Sequence, residues 1–411
     1  MSQSQLSTDV AIIGGGPAGS AAGAFLVQRG HRVLCLEKGF FPRYVIGESL
    51  LPRCNELLEE AGLLDAVRSR NYLVKHGALF LSGDRSERFC FAESLDGDYA
   101  HSFQVPRGDF DRCLATEARR KGLDLRFGHR VDAVQTRSDG VKLHVTDIEN
   151  QEELLVEAAF VMDCSGYGRV LARLLDLEEP ALLPQRISCF TQIEGDIRPP
   201  ADHEGDIWIC THPQNGWLWI IPFNNGRTSV GMVCDRDYWN SLHGPNKKRL
   251  FDYLQSEPNA ARRLAQATQV APVRLIDGYS RKVKTFHGER WVLAGNASDF
   301  LDPVFSSGVT LALESSLLAA RLVERSLAGD KVDWDNEYDH VLNEAVQVFL
   351  RFIESWYDGV LPEIFLAKKR PEHTKNRITS ILAGYVLRQD NPFVRRPAER
   401  LAALHSVCQP Q

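Results

Sequence analysis

The sequence predicts an α/β fold with two lobes and a helical C-terminal region. Three observations lead to this fold class. A short apolar strand at residues 9–13 runs into a glycine-rich turn and a helix, strand-rich sequence fills residues 187–233, and helical periodicity dominates from 332 to about 388. The first pattern is typical of a Rossmann-type parallel sheet and the second of an antiparallel sheet. Together they predict a cleft between two lobes.

Composition limits the class of protein. The 411 residues exceed a typical single domain, and the hydrophobic fraction of 44% is that of an ordinary globular protein. None of the nine cysteines belongs to a CxxC pair, so we expect no metal site and a reducing, cytoplasmic location. The net charge of -6 favours neither nucleic acid nor an anionic membrane as partner. No apolar run reaches the roughly 18 residues of a membrane span.

The N-terminal strand, turn and helix predict a dinucleotide site. Gly14, Gly16 and Gly19 fit GxGxxG directly after a strand and before a helix. The first glycine permits the tight turn, the second lets the backbone approach a pyrophosphate, and the third allows close helix packing. Glu37 follows the strand predicted at residues 31–36, where a carboxylate accepts hydrogen bonds from ribose hydroxyls.

The remaining elements set the predicted domain boundaries. Further strands are predicted at residues 78–81, 125–127, 131–134, 141–145, 154–162 and 291–295, with helices at about 52–68, 109–121 and 307–327. We predict a discontinuous dinucleotide-binding lobe at 1–80, 100–180 and 275–330. An antiparallel-sheet substrate lobe is predicted at 81–99 and 181–274, and the helical region at 331–411.

A second motif identifies the dinucleotide. Gly295-Asn296-Ala297, then Asp302-Pro303, then Ser306-Ser307-Gly308-Val309 place polar groups between a strand and a long helix. This segment resembles the second flavin fingerprint of the glutathione-reductase-like (GR2) and hydroxybenzoate-hydroxylase-like enzymes. The resemblance implies FAD as cofactor and a helix N-terminus aimed at the flavin. The chain has no second GxGxxG, so we expect a separate flavin reductase or another source of reduced flavin.

The middle of the chain resembles the flavin-dependent halogenases. Trp217, Trp219, Ile221 and Pro222 complete the WxWxIP pattern of that family. Period-two spacing on a strand puts both indoles on one face. The resemblance implies that Trp217 and Trp219 act at the passage between flavin and substrate. Core packing is the alternative explanation for two tryptophans on one strand face.

Residues 302–309 resemble the version of this segment found in halogenases that act on phenols and pyrroles. The resemblance implies that the amides of Ser307 and Gly308 bind halide, chloride or bromide, next to the flavin. A helix N-terminus with unpaired N–H groups is suited to an anion. The alternative is that these amides contact only the flavin carbonyl.

Lys75 resembles the lysine with which the halogenases direct hypohalous acid to one carbon of the substrate ring. It stands in the segment 72–78, just before a predicted strand. A desolvated amine has a lowered pKa and becomes nucleophilic, which suits this role. An isolated lysine is usually a surface residue, so the prediction depends on the other motifs.

Other matches to the family imply contacts with the cofactor rather than the reaction type. A PRxxIGES segment resembles the flavin-facing loop of the family, and two further loops resemble segments that contact the cofactor. The predicted cofactor-binding residues beyond those above are Pro17, Ala18, Lys38, Arg43, Glu48, Ser49, Arg107, Asp163, Ser165, Gly166, Asn296, Asp302, Pro303, Gly308 and Val309.

Departures from the family indicate the substrate. Asn296 stands where many relatives have aspartate, and Phe305 stands where tryptophan halogenases place a catalytic glutamate. A phenol or pyrrole stabilises the ring cation with its own heteroatom, so we expect such a ring. The short chain favours a substrate on an acidic carrier protein, to which a basic C-terminal stretch offers opposite charge. Its members are Lys368, Lys369, Arg370, Lys375, Arg377, Arg388, Arg395, Arg396 and Arg400.

Two alternative functions remain open at this point. One is a halogenase-like monooxygenase or dehydrogenase, for example in polyketide or aryl-polyene pigment synthesis, that keeps the fold without using halide. A solvent-exposed Lys75 far from the cleft would favour it. The other is a flavoprotein that modifies a side chain of a partner protein, as in tryptophylquinone maturation, which an open cleft would favour.

Overall fold

The computed structural model describes residues 4–212, 216–299, 301–371 and 373–408. In chain order its strands are β1 Ser4–Ile13, β2 Val33–Glu37, β3 Leu73–Lys75, β4 Gly77–Ser82, β5 Arg85–Cys90, β6 Ser102–Gln104, β7 Asp124–Phe127, β8 His129–Arg137, β9 Gly140–Asp147, β10 Glu152–Asp163, β11 Glu178–Glu179, β12 Arg186–Glu194, β13 Ile207–His212, β14 Gly216–Pro222, β15 Arg227–Asp235, β16 Thr268–Gln269, β17 Arg274–Asp277, β18 Lys282–Val283, β19 His287–Gly288 and β20 Trp291–Leu293.

The helices are α1 Pro17–Val27, α2 Pro52–Glu60, α3 Leu64–Arg68, α4 Arg107–Arg120, α5 Val170–Leu174, α6 Arg236–Ser241, α7 Asn246–Ser256, α8 Pro258–Arg263, α9 Ser307–Leu327, α10 His340–Tyr357, α11 Val360–Phe365, α12 Thr374–Leu382, α13 Pro392–Arg395 and α14 Pro397–Cys408. Short 3-10 turns occupy Phe91–Glu93, Gly166–Gly168, Gly295–Ala297 and Pro303–Phe305, and a π-helical turn, Asp335–Asp339, leads into α10.

The first sheet has the order β19-β20-β10-β1-β2-β7. β1 runs parallel to both β2 and β10, and β20 runs parallel to β10. Strands such as β2 are buried along their whole length because helices cover both faces, which explains their continuous apolar sequence. The predicted Rossmann-type lobe is therefore confirmed.

The second sheet has the order β16-β12-β15-β14-β13-β4-β5, with β17 also pairing with β12. Most of its pairs are antiparallel, as predicted, but β4 and β13 run parallel, which the long connection between the two strands permits. β4 (Gly77–Ser82) crosses the boundary predicted at residue 80, and β17 (Arg274–Asp277) the one near 275. The sheet thus takes a few residues that the predicted domain boundaries assign to the first lobe.

Alternating residues of β14 belong to two different cores. Trp217, Trp219 and Ile221 pack in the cluster that includes the apolar face of α10. Leu218 and Ile220 point the other way, into a cluster with residues of α7 and α8. This alternation follows from the period of two along a strand. It leaves the two indoles on the side of the sheet that faces the first lobe and the C-terminal helices.

The helices and the cysteines of the structure bear on three further predictions. The helix predicted at about 52–68 is broken, since α2 ends at Glu60 and α3 begins at Leu64, with Gly62 at a positive φ of 66° between them. All nine cysteines lie in the described ranges and are free thiols. Within those ranges no helix combines the length and the apolar character that a bilayer span needs.

Candidate active site

One cavity of about 510 Å³ lies between the two sheets. The register aligns Ile13 with Asp163 and Asp163 with Leu293, so β1, β10 and β20 end at the same edge of the first sheet. The loops that leave these three strands all contribute to the cavity wall. This is the place where open α/β sheets bind their ligands.

The glycine turn after β1 forms one end of the cavity. Gly14 adopts a positive φ of 97°, and a Cβ atom on Gly19 would lie 1.9 Å from the carbonyl oxygen of Gly14. Helix α1 therefore begins directly against the turn. Its N-terminus has no side-chain cap and no acidic residue in the first turn, so its amides and partial positive charge face the cavity.

Glu37 is held in place by the backbone on both sides. Its Oε2 accepts a hydrogen bond from the Gly15 amide at 2.9 Å, and its Oε1 accepts one from the Gly39 amide at 2.8 Å. Each carboxylate oxygen has capacity for a second donor. Glu37 lines the cavity, whereas Lys38 is exposed and does not.

Two arginines follow Glu37 along the cavity wall. Arg107 donates to Asp111 at 2.8 Å and to the carbonyl of Ile46 at 2.7 Å, which fixes the loop before Gly47. Arg43 lies 3.9 Å from Glu37 and 3.8 Å from Asp111, and its buried Nε has no hydrogen-bond partner among the described residues. Arg43 therefore has donor capacity left for an anionic group in the cavity.

Asp163 supports the cavity from behind. Its two oxygens accept the amides of Ser165 at 2.9 Å and Leu171 at 2.7 Å, and burial raises the pKa of this carboxyl above its ordinary value. The residue is not part of the cavity wall. It fixes the loop whose members Ser165 and Gly166 do line the cavity.

Glu48 is a buried acid in the cavity wall. Only 2% of its surface is exposed, and its Oε1 accepts a hydrogen bond from Gln192 at 3.0 Å. Burial raises the pKa of Glu48 to about 7, against the opposing effects of Ser229, Gln192 and Arg107. Its neighbour Ser49 also lines the cavity.

The two indoles of β14 line the opposite wall. Their ring centroids are 5.7 Å apart, and Trp219 donates to the Ser229 hydroxyl at 3.2 Å. Trp219 pairs with Gly231 on β15, where a Cβ atom would lie 2.3 Å from the indole. Glycine at this strand position makes room for the ring.

The segment before α9 completes the cavity. Asn296, Pro303, Gly308 and Val309 line it, and Ser306 adopts a left-handed conformation with φ 58°. Helix α9 has 21 residues, and its N-terminus has neither a side-chain cap nor an acidic residue in the first turn. The first amides of α9 are thus available to an anion or to a ligand carbonyl.

Two predicted residues of this segment have side chains outside the cavity wall. Ser307 is 3% exposed and does not line the cavity, although its neighbours Ser306 and Gly308 both do. Asp302 is also off the wall, and its Oδ2 accepts hydrogen bonds from the hydroxyls of Tyr279 and Tyr357.

Lys75 lies behind the cavity wall. Its side chain is 1% exposed, and its Nζ donates to the carbonyl of Leu50 at 2.9 Å, one residue after the wall residue Ser49. Burial lowers the pKa of Lys75 to about 7, and the nearby Asp206 raises it in part. The structure therefore gives the amine the character that the predicted role requires, one layer away from the cavity.

The cavity gathers most of the predicted residues. Those that line it are Gly14, Gly16, Pro17, Ala18, Glu37, Arg43, Glu48, Ser49, Arg107, Ser165, Gly166, Trp217, Trp219, Asn296, Pro303, Gly308 and Val309. Those outside its wall are Gly19, Lys38, Lys75, Asp163, Asp302 and Ser307. Except for the exposed Lys38, each of the latter is buried against a residue or segment that lines the cavity.

FAD fits this arrangement. The uncapped N-terminus of α1 and the free Nε of Arg43 suit a pyrophosphate, and the carboxylate of Glu37 suits the ribose hydroxyls. Asn296 and the N-terminus of α9 would meet the flavin end. Bound FAD would supply redox chemistry with oxygen, for which the side chains described above provide no substitute.

Comparison with known proteins agrees with this geometry. The model of the FAD binding domain family matches residues 7–334. A flavin-dependent halogenase from Armillaria mellea is 30% identical, over 80% of this chain and 69% of that protein. A 1H-pyrrole-2-carbonyl peptidyl-carrier-protein brominase from Pseudoalteromonas luteoviolacea is 29% identical, over 84% of this chain and 86% of that protein. The chain belongs to the flavin-dependent halogenase family.

Among solved structures, a flavoprotein/dehydrogenase from Cytophaga hutchinsonii shares the fold along the whole chain. Its TM-score is 0.94 and its sequence is 38% identical, with coverage of 98% of this chain and 99% of that one. The family match and the halogenase relatives show that the present chain is an FAD-dependent oxidoreductase, as predicted.

Sequence reasoning missed several wall residues of this halogenase-family cavity. They are Tyr44, Val45, Ile46, Tyr167, Phe190, Ile207, Ile221, Arg274, Leu275 and Ile276, with others between them. Tyr44 and Ile46 belong to the recognised PRxxIGES segment, so the motif could have indicated them. Phe190 and Arg274 lie on β12 and β17, where only the sheet register brings them to the cavity.

A second group of side chains lies away from this site. His287, Asp335 and Asp339 bring potential ligand atoms within 4.8 Å of one another. The prediction that the chain has no metal site considered sequence spacing alone, which cannot reveal a group assembled from distant positions. The group lies at the protein surface, and the chemistry of the cavity makes no use of it.

The geometry of Glu37 predicts a specific loss of cofactor affinity. Glu37→Gln keeps the size of the side chain but removes the charge that accepts two amides and the ribose hydroxyls. We expect the Kd for FAD to rise about tenfold or more, as for a charged hydrogen bond. Titration of flavin fluorescence measures it. Lys38→Gln, one residue away and exposed, is the matched control, and an equal loss in that variant would contradict the placement.

The buried amine of Lys75 predicts a pH-dependent stability. Below pH 7 the amine is protonated in both the folded and the unfolded protein, whereas between pH 7 and 10.5 the folded state holds it neutral and the unfolded chain keeps its proton. Folding then releases a proton, so stability rises with pH across this window. Lys75→Met removes this cost and should raise the free energy of unfolding at pH 7 by about 4 kcal/mol.

Urea unfolding of the full-length protein at pH 7 and pH 10 measures the gain from Lys75→Met. We expect most of the gain to vanish at pH 10, with no change at either pH for the exposed control Lys38→Met. A gain of the same size at both pH values would show that packing, and not the buried charge, explains it.

Proposed function

We propose that this protein is an FAD-dependent halogenase that adds chlorine or bromine to an electron-rich phenol or pyrrole ring. Reduced FAD, oxygen and halide are its other substrates. The observation that carries the proposal is the shared cavity: the flavin-type wall, the uncapped N-terminus of α9 and the WxW indoles all face one space. The names of the relatives support the same activity.

The halide is proposed to bind at the start of α9. The left-handed Ser306 turns the chain so that the amides of Ser307 and Gly308 precede the first helical hydrogen bonds. The long helix adds its partial positive charge at the same point. Trp217 and Trp219 exclude water from the opposite wall, so an anion here is less screened than in solvent.

Lys75 is proposed to receive hypohalous acid and to direct it to the substrate ring. Its lowered pKa leaves a large fraction of the amine neutral near pH 7, and a neutral amine is a nucleophile and a hydrogen-bond acceptor. To reach the cavity the amine has to leave the Leu50 carbonyl, which requires a movement of the 48–50 segment or of the lysine chain.

The aromatic substrate is proposed to arrive on an acidic carrier protein. The name of the pyrrole brominase relative, whose substrate is a pyrrole on a peptidyl carrier protein, supports this mode of delivery. Within the described residues Arg370 and Lys375 are paired with Glu87, at 2.9 Å and 2.7 Å. These two are therefore structural. The residues proposed to face the carrier are the exposed Lys368, Lys369, Arg377, Arg388, Arg395, Arg396 and Arg400.

A second candidate function is oxidation of a similar substrate without halide, as a monooxygenase or dehydrogenase. One observation favours it: the protein from Cytophaga hutchinsonii that shares the fold is described as a flavoprotein/dehydrogenase. Lys75 does not favour it, because this alternative expects an exposed lysine far from the cleft and Lys75 is buried directly behind the cavity wall.

The test of the proposed function is the intact mass of phenolic and pyrrolyl carrier substrates after reaction. The mixture contains the protein, FAD, a flavin reductase, NADH and oxygen, with and without bromide. We expect a bromide-dependent isotope pair that falls at least about a hundredfold in Lys75→Ala, as for loss of a catalytic group. Lys38→Ala is the control. A gain of oxygen or a loss of two hydrogens that ignores bromide would establish the second candidate.

The carrier surface makes a separate prediction. Arg377→Glu with Arg395→Glu should lower kcat/KM for the carrier-bound substrate by about tenfold, because a repulsive charge reduces the association rate. The same ring on a small thioester should react as before. Lys331→Glu, an exposed charge reversal after α9, controls for net charge. Equal losses on both substrates would argue against carrier docking.

A further inference from the structure

A partly buried chain of hydrogen bonds links the cavity wall to the C-terminal region. The indole Nε1 of Trp217 donates to the Tyr357 hydroxyl at 2.9 Å, and that hydroxyl donates to Asp302 Oδ2 at 2.9 Å. Tyr279 donates to the same oxygen at 2.6 Å, and the Val304 amide donates to Oδ1 at 3.1 Å. The chain thus joins β14, the end of α10 and the segment before α9.

The direction of this chain is fixed by its chemistry. An indole N–H can only donate, so the Tyr357 oxygen must accept from Trp217 and send its single proton to Asp302. Burial and the adjacent Asp302 raise the pKa of Tyr357, so this phenol keeps its proton. Among the residues that the structure describes, Tyr357 is therefore the one side chain that accepts a hydrogen bond from the Trp217 indole and donates one to a carboxylate.

The face of the Tyr357 ring is covered by an arginine side chain. The guanidinium of Arg186 stacks 3.4 Å from the ring centroid and lies 3.3 Å from Asp235. Tyr357 is the last residue of α10, and the residue before it, Trp356, packs in the cluster that contains the two indoles. The hydroxyl position thus depends on how α10 sits against β14.

We propose that Tyr357 is a positioning residue for Trp217, by which the C-terminal region sets the orientation of one indole at the cavity wall. The FAD-binding family match ends at residue 334, so this contact comes from outside the flavin-binding part of the chain. The proposal rests on the proposed function for its catalytic consequence. An indole that turns away from the wall admits water, and oxidised halide is lost before it reaches the ring.

The structural part is tested by the indole N–H signals in two-dimensional NMR of the full-length, 15N-labelled protein, with and without FAD. The chain has seven tryptophans, and loss of one signal in Trp217→Phe identifies Trp217. Tyr357→Phe should move this signal and speed its exchange with solvent about threefold to tenfold, as expected for one lost hydrogen bond. Tyr279→Phe, the matched control, removes a donor to the same Asp302 oxygen without touching Trp217. Its Trp217 signal should stay in place.

The catalytic part is tested by the ratio of halogenated product to NADH consumed, because oxidised halide that is lost to water lowers the product formed per electron pair. This ratio should fall about threefold to tenfold in Tyr357→Phe and stay within twofold of wild type in Tyr279→Phe. In the Trp217→Phe background, Tyr357→Phe should have no further effect, because the two residues act as one unit. Equal changes in both tyrosine variants, or an unmoved Trp217 signal in Tyr357→Phe, would overturn the proposal.

The two proposals fail in different ways. If wild-type protein yields no halogenated product under any condition, the proposed function is wrong while the NMR result still decides the role of Tyr357. If halogenation is observed and the Trp217 signal ignores Tyr357→Phe, only the positioning role is wrong.

Discussion

The common end of β1, β10 and β20 is the constraint on which the rest of the site depends. Their parallel register places Ile13, Asp163 and Leu293 side by side, so three loops distant in sequence leave the sheet at one edge. Each loop then needs its own internal support, because loop backbone has polar groups that the sheet does not pair. Glu37 supplies it for the glycine turn and Asp163 for the loop at 164–168.

Burial of charge is the second constraint, and it separates the buried ionisable groups of the site into two kinds. Asp163 and Asp302 each accept at least two hydrogen bonds and stay off the cavity wall, which is how a protein makes a buried carboxylate tolerable. Glu48 and Lys75 are buried with fewer partners, and burial moves the pKa of each toward 7. Burial also raises the pKa of Asp163 and Asp302, so the two kinds differ in the number of their hydrogen-bond partners rather than in the direction of the shift.

The sequence could predict what a local pattern encodes. GxGxxG after a strand, WxWxIP and the segment before α9 were enough to predict the FAD-binding lobe, and most of the residues they contain line the cavity. Long-range register was beyond reach. Nothing local to residues 77–82 indicates that β4 pairs in parallel with β13, or that Tyr357 lies against Trp217 from 140 positions away. Lys75 illustrates both the success and the limit of sequence reasoning. Its segment was recognised from the sequence, whereas its position behind Ser49 follows only from packing.

The surroundings of Phe305 bear on the choice of substrate. Its ring lies edge-on to Phe352 at 6.3 Å and to Trp356 at 6.1 Å, both on α10. A glutamate at this position would place a carboxylate among aromatic rings, where desolvation favours its neutral form. Such a group could not stabilise a ring cation by charge. The apolar packing of α10 against residue 305 therefore disfavours a charged carboxylate there, which agrees with the proposed phenol or pyrrole substrate, whose own heteroatom would carry the positive charge. The same helix supplies Tyr357, so one packing interface accounts both for the missing carboxylate and for the support of the Trp217 indole.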